Sequence, residues 1–285
     1  MNNPLPRRHL GSTGIDVSCI GLGTVKIGRN EGVKYPTGFE LPDDTQVRNL
    51  LSLARELGVN LLDTAPAYGR SEERLGQLLT DRPDWIICSK VGEEFSDGKS
   101  SFDFSAAHVR RSIERSLQRL KTDYLDIVLV HSDGNDEHII RQTDCYDALR
   151  RCREDGLIRS FGISTKSIAG GLLGVEESDV VMVTYHPGAP EDAVVIDAAA
   201  AANKGVLIKK AFNSGHSVSA APGLSTDPVQ ATMDFIFARA GVSSVIIGTI
   251  NPAHVRQNVA CAVAALGDSR QAAADGQPTQ GAALS

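Results

Sequence analysis

The chain has 285 residues, 41% hydrophobic and 22% charged, with 29 Lys plus Arg against 35 Asp plus Glu and a formal net charge of −6. This mildly acidic balance speaks against a general nucleic-acid or anionic-membrane binder, because neutralising phosphates takes clustered Lys and Arg. No apolar run approaches the ~20 residues of a membrane-spanning helix, and the start MNNPLPRRHLG has no apolar stretch behind its charges to read as a secretory signal.

Arg8 to Val17 opens the folded pattern as a hairpin with Gly at its turn, placed to plug the floor of a barrel. The first buried strand is Ile20–Gly23. Residues 28–43, carrying Tyr35 and Phe39, form a long connection expected to act as a lid and to line a substrate pocket. Asp44–Leu57 predicts a helix with Val47, Leu50, Leu51 and Ala54 on one face, stopped by Gly58. The strand Val59–Asp63 precedes a helix over Ser71–Leu79, read as capped by Ser71 with two acids in its first turn. Trp85–Lys90 reads as a strand, Ser105–Leu120 as a helix, Leu125–His131 as a strand and Ile139–Glu154 as one helix. The strands Ile158–Ser164, Val180–Tyr185, Val206–Lys209 and Val245–Gly248 follow, with helices over Ala189–Ala202 and Pro228–Arg239. Asn251 then caps a helix with Pro252 at its first position, running to about Leu266. Residues 268–285, small and polar, are expected to be a disordered tail.

The short runs are rich in Val, Ile and Leu without polar alternation, as in parallel strands covered on both faces. Eight strand–helix units in about 250 residues predict a single (β/α)8 barrel over residues 1–267, with the hairpin at its N-terminus. A doubly wound sheet would carry a Gly-rich phosphate loop after its first strand. Here Gly21 and Gly23 are followed by Lys26 where that fingerprint needs Gly. Five scattered cysteines without C-x-x-C (Cys19, Cys88, Cys145, Cys152 and Cys261) point to reduced thiols in the cytoplasm and to no zinc site.

In such barrels the chemistry sits at the C-terminal ends of the strands. The polar residues there are Thr24, Asp63, Lys90, His131, Ser164, Tyr185, Lys209 with Lys210, and Thr249, with Tyr68 just past Asp63. An acid, a base and a His ending three successive strands, beside a Tyr, can run proton transfer. A Lys ammonium next to the Tyr makes the phenol a better proton donor, the acid holds the Lys, and the His can orient a carbonyl. No side chain is a hydride donor, so redox chemistry would need a bound nicotinamide. Cys88 reads as an inert strand thiol. His186 and His216 lack a metal-ligand set, and Glu93, Glu94 and Asp133 read as solvated mouth charges or as partners of a polyol substrate.

From Leu10 to about Leu266 the chain resembles the aldo-keto reductase superfamily, through GLGTVKIG (21–28), LLDTAPAYGRSEERLG (61–76), CSKVG (88–92), SLQRLKTDYLDIVLVHS (116–132), IRSFGIST (158–165), YHP (185–187) and IIGTINPAHVRQN (246–258). The resemblance implies an oxidoreductase that reduces an aldehyde or ketone or oxidises a sugar-like or secondary alcohol. Tyr68 would be general acid and base, tuned by Lys90 and Asp63, with His131 orienting the carbonyl. The dinucleotide, NADP(H) with NAD(H) as the alternative, would lie extended on the barrel itself. It implies Thr24 and Asp63 at the ribose, Ser164 and Thr165 at the carboxamide, Lys209, Phe212 and Ser214 along the pyrophosphate, and Thr249, Gln257 and Asn258 at the adenosine end. Val25, Tyr68, His131, Tyr35 and Phe39 would line the substrate pocket.

The departures from the family pattern are specific. Thr165 replaces a frequent Asn, Met182 a Gln, Lys209 an aromatic stacking residue and Val25 a Trp, while Gly248 and His254 stand where basic residues often clasp a 2′-phosphate, leaving Arg256 as the nearest cation. Expected partners are a small carbonyl or alcohol, with no nucleic acid and no membrane. Two other readings stand beside this one: a non-catalytic, cofactor-sensing interaction subunit on the same fold, and a Schiff-base lyase using Lys90.

Overall fold

The computed structural model describes residues 5–33, 38–213 and 227–275. A two-stranded hairpin comes first, β1 (Arg7–His9) pairing antiparallel with β2 (Asp16–Ser18). The barrel strands are β3 (Ile20–Gly23), β4 (Leu61–Asp63), β5 (Ile86–Val91), β8 (Leu125–His131), β9 (Ile158–Ser164), β10 (Val180–Thr184), β11 (Gly205–Lys209) and β12 (Ser244–Ile247). They pair in parallel in that order, and β12 closes on β3. A second hairpin, β6 (Glu93–Ser96) with β7 (Lys99–Phe102), stands in the connection after β5. The helices are α1 (Val25–Gly28), α2 (Asp44–Glu56), α3 (Ser71–Leu78), α4 (Ala106–Leu120), α5 (Asp136–Gln142), α6 (Cys145–Glu154), α7 (Ile168–Glu177), α8 (Ala193–Ala201), α9 (Pro228–Phe237) and α10 (Pro252–Asp275).

Side-chain alternation explains why the strands read as unbroken apolar runs. Leu61, Cys88, Ile127 and Leu129 belong to a cluster inside the barrel, while their neighbours Leu62, Ile87, Val128 and Val130 belong to the layer under the helices. Both faces are buried, so neither can be polar. The expected plug is present: Leu10, Ile15 and Val17 of the first hairpin join the inner cluster, at the end where the strands begin. The barrel wall leaves no room at Gly162 on β9, where a Cβ would lie 1.7 Å from the Val180 carbonyl oxygen on β10. Gly162→Ala should therefore destabilise the fold by about 1–3 kcal/mol or more, read as a lowered denaturant midpoint, and an unchanged midpoint would mean the two strands part at no cost.

The helix caps follow local chemistry. Asp43 and Gln46 form a capping box at α2, and Gly58, at φ +89°, ends it. Ser105 caps α4, and Asp227 with Pro228 opens α9. Three expectations change. Ser71 is the first residue of α3 rather than its cap, and its hydroxyl donates to Thr24 Oγ1 at 2.7 Å. The helix expected over Ile139–Glu154 is two, α5 and α6, because the backbone turns extended at Thr143 (φ −120°, ψ 166°), whose hydroxyl donates to the Ile139 carbonyl at 2.7 Å. The last helix continues to Asp275, past the point where the tail was expected to begin, and the rest of that tail lies outside the described residues. Among the described residues no helix is long and apolar enough to cross a membrane.

Candidate active site

The strand ends meet at one cavity of about 960 Å³, within the usual range for a small-molecule site. Asp63, Lys90, His131, Ser164 and Lys209 come to it from the ends of β4, β5, β8, β9 and β11. Tyr68 joins them from the loop after β4. The four residues expected to carry the chemistry are thus brought together.

Lys90 is the pivot. It is 2% exposed, and its Nζ donates to Asp63 Oδ1 at 2.5 Å and to the Thr64 carbonyl at 2.9 Å. Burial alone would lower the pKa of this ammonium, but the Asp63 carboxylate overturns that and holds it above its ordinary value. Lys90 Nζ lies 4.7 Å from the centre of the Tyr68 ring, and the Tyr68 and His131 rings meet edge to face with centroids 6.2 Å apart. Cys88, wholly enclosed, has its thiol pushed well up by burial and then by the charge of Asp63, so it is a packing residue.

His131 has a partner that sequence reasoning left among the solvated mouth charges. Glu93 Oε2, on β6, lies 2.7 Å from His131 Nδ1 in a bent approach. The Ser100 hydroxyl, from the facing strand β7, donates to Glu93 Oε1 at 2.6 Å. Burial would raise the Glu93 carboxyl, but contact with His131, the Ser100 bond and the charge of Arg29 hold it at about 2. His131 moves down from its ordinary value, chiefly through burial, with Lys90 and Lys209 adding to the shift and Glu93 opposing it. The available signal was Asp97-Gly98, a two-residue turn with both φ positive (51° and 76°) that makes the hairpin.

The cavity lining also carries several lysines and unmet polar atoms. Lys26, Lys166, Lys209 and Lys210 are among them. Lys209 Nζ donates to Ser164 Oγ at 2.9 Å and to the Thr165 carbonyl at 2.5 Å. Burial, followed by the charge of Lys210, brings its pKa down to about 7. Thr165 Oγ1 and Asn258 Oδ1 are buried without a hydrogen-bond partner in the lining. Such orphaned groups at a cationic wall suit a polar, anionic ligand, and a dinucleotide fits that description.

The turn bearing Ser164 and Thr165 has a support that sequence reasoning missed. Asp136, 1% exposed, accepts from Lys166 N (2.9 Å), Ser167 N (2.8 Å) and Ser167 Oγ (2.8 Å), and also bonds Ser132 Oγ.

Several of the other expected site residues line the cavity and several do not. Val25, Phe212, Thr249, Gln257 and Asn258 line the cavity, as do Met182, Gly248 and His254. Thr24 does not, because its hydroxyl donates to the Asp63 carbonyl (2.8 Å) and accepts from Ser71, bracing the Asp63 loop from behind. Tyr185 follows the end of β10 and turns to the helical layer, stacked on Phe235 with its hydroxyl accepting from Arg239 Nε at 3.0 Å. Phe39 lies near Lys26, its ring centre 5.1 Å from Nζ, and is not part of the lining. Tyr35, Ser214, His216 and part of the expected lid lie outside the described residues. Among the described residues no His, Cys, Asp and Glu cluster is set to hold a metal.

Comparison with known proteins shows which family and fold the chain resembles. Residues 19–185 match the family model described as Aldo/keto reductase family. The crystal structure of an aldo-keto reductase from Pseudomonas aeruginosa is 51% identical, with a TM-score of 0.82 over 91% of this chain and 95% of that one. An uncharacterized oxidoreductase of Bacillus subtilis is 26% identical over 90% of each chain. L-galactose dehydrogenase of Arabidopsis thaliana is 36% identical over 55% of this chain and 47% of its own.

Proposed function

Because the chain belongs to the aldo/keto reductase family of oxidoreductases, we propose that it reduces an aldehyde or ketone, or oxidises a sugar-like or secondary alcohol, with NADP(H) as its cofactor and Tyr68 as the proton-transferring group. The observation that carries this reading is the buried Lys90–Asp63 pair set against the Tyr68 ring in the cavity wall. An ammonium fixed beside a phenol stabilises the phenolate that forms as the proton leaves. During reduction Tyr68 gives its proton to the carbonyl oxygen, and during oxidation it takes the hydroxyl proton back. Lys90 keeps its own proton throughout, since Asp63 and the Thr64 carbonyl both hold the ammonium.

Ser164 and the orphaned Thr165 hydroxyl would hold the nicotinamide end, the Lys209–Phe212 segment would follow the pyrophosphate, and Thr249, Gln257 and Asn258 would hold the other end. When bound, the nicotinamide supplies or accepts the hydride. His254 in the lining offers only a weak handle for a 2′-phosphate, and Arg256 is not in the lining, so NAD(H) is the competing cofactor. The Schiff-base reading has little support, because Lys90 is shut away and held as an ammonium, whereas an imine-forming Lys needs a free amine.

Titration with NADPH and NADH, followed by a carbonyl and sugar screen with the tighter cofactor, tests the whole reading. The expected result is NADPH binding with turnover of at least one carbonyl. Tight cofactor binding with no turnover of any carbonyl or sugar would favour a cofactor-sensing interaction subunit instead.

A further inference from the structure

The strand pattern aims Lys209 into the barrel. Leu207 belongs to the inner cluster, and Lys209 follows it by two residues on β11, so both side chains take the same face. From there Nζ crosses to the end of β9 and gives two of its three N–H bonds to Ser164 Oγ and the Thr165 carbonyl. Ser164 accepts, so it keeps its own hydroxyl hydrogen to donate, and the Thr165 hydroxyl is buried without a partner. Two hydroxyls able to meet a ligand thus stand beside one cation. The charged and titratable groups around Lys209 are Lys210 next in the chain, Asp136 from α5, Asp192 from the segment before α8, Lys90 from β5 and His131 from β8. Neither carboxylate bonds Nζ: Asp136 is taken up by Ser132, Lys166 and Ser167, and Asp192 accepts from Thr184 N at 3.1 Å. Lys90 has Asp63 as its counter-ion, whereas Lys209 has no paired carboxylate among the described residues.

We propose that Lys209 discriminates between the redox states of the cofactor: its ammonium, fixed at the nicotinamide end of the cavity by Ser164 and Thr165, favours the neutral, reduced ring over the cationic, oxidised one. This rests on the reading of the cavity as a dinucleotide-dependent active site with Ser164 and the Thr165 hydroxyl at the carboxamide. Loss of a hydride takes two electrons from the ring and leaves it with one positive charge. Like charges in a partly dry cavity repel strongly, and Lys209 brings no counter-ion to offset the second one. Lys209 therefore weakens binding of the oxidised form selectively. It also makes the oxidised ring, once bound, the stronger hydride acceptor, which tips the bound reactants towards oxidation of the alcohol and reduction of the cofactor.

The test is calorimetric titration of the full chain with NADPH and with NADP⁺, repeated with NADH and NAD⁺. The phosphates are the same within each pair, so the ratio of the two Kd values reports the ring alone. At about pH 6.5 wild type should bind the reduced form at least about tenfold more tightly. In Lys209→Met, similar in length but uncharged, the ratio should fall towards one, and Lys209→Arg should retain it. Because burial and Lys210 bring the Lys209 pKa down to about 7, the wild-type preference should be present below that pH and fade above it. In Lys209→Arg, which keeps its charge, it should persist to about pH 9. A wild-type ratio near one at about pH 6.5 overturns the proposal and needs no variant to fold. An unchanged ratio in Lys209→Met, with both forms still bound, overturns it as well. The two readings fail differently. If wild type binds no nicotinamide cofactor, the dinucleotide reading falls and takes the role of Lys209 with it. If it binds both forms and Tyr68→Phe loses turnover, but the ratio ignores residue 209, only the role of Lys209 falls.

Discussion

Tyr68→Phe should lower kcat for carbonyl reduction by about 10²–10⁴-fold, the usual span for removing a positioned general acid, while leaving cofactor affinity within a factor of a few. Phe keeps the ring that meets Lys90 Nζ at 4.7 Å and His131 at 6.2 Å. Packing is therefore preserved and only the transferable proton is lost. The loss should fall on kcat and kcat/KM together, since the interaction removed is one that strengthens as the reaction proceeds. Steady-state kinetics with fluorescence titration of NADPH decide the matter. A variant that keeps wild-type turnover would show that the proton comes from elsewhere.

The second large effect is on stability. Lys90→Met should destabilise the fold by about 3–5 kcal/mol, because it strands the Asp63 carboxylate inside the barrel without its cation. Asp63 is 4% exposed and Lys90 2%, so water cannot substitute for the missing partner. The Lys90→Met/Asp63→Asn double variant should recover much of that loss, since no unpaired charge is left behind, yet it should remain catalytically poor. Chemical denaturation of the three proteins at neutral pH, with activity measured on the same samples, tests both halves. Equal stability of Lys90→Met and wild type would mean that the carboxylate finds another partner. The two experiments address different roles of one cluster. On the proposed reading Tyr68 would supply the proton, and the pair beside it would supply the charge at a cost that only an intact pair keeps low.

Much of this arrangement could be read from the residues. Leu125–His131 and Ile158–Ser164 match the structure end to end, because long Val, Ile and Leu runs buried on both faces admit few other readings. Asp63, Lys90 and His131 could be placed together because they close successive barrel strands, and a barrel brings strand ends to one face. What was hidden depends on contacts across the fold. Glu93 reaches His131 only because a hairpin folds it back over the barrel end. Asp136 meets Ser167 only because the loops after β8 and β9 converge. Thr24 also ends a strand, but its hydroxyl turns backward to Ser71, a choice that strand position alone does not fix. The break between α5 and α6 is invisible to periodicity, since buried faces continue on both sides of Thr143, with Ile139 and Ile140 before it and Leu149 after.

The Asp136 carboxylate bears on how this protein could be re-engineered. One buried side chain from the segment after β8 terminates three donors of the segment after β9. The two segments therefore behave as a single transplantable cassette. A chimera that imports residues 165–167 from a relative but leaves residue 136 behind inherits either a carboxylate without donors or donors without a carboxylate. Loop exchange meant to retune ligand preference at this end of the barrel has to carry both pieces at once.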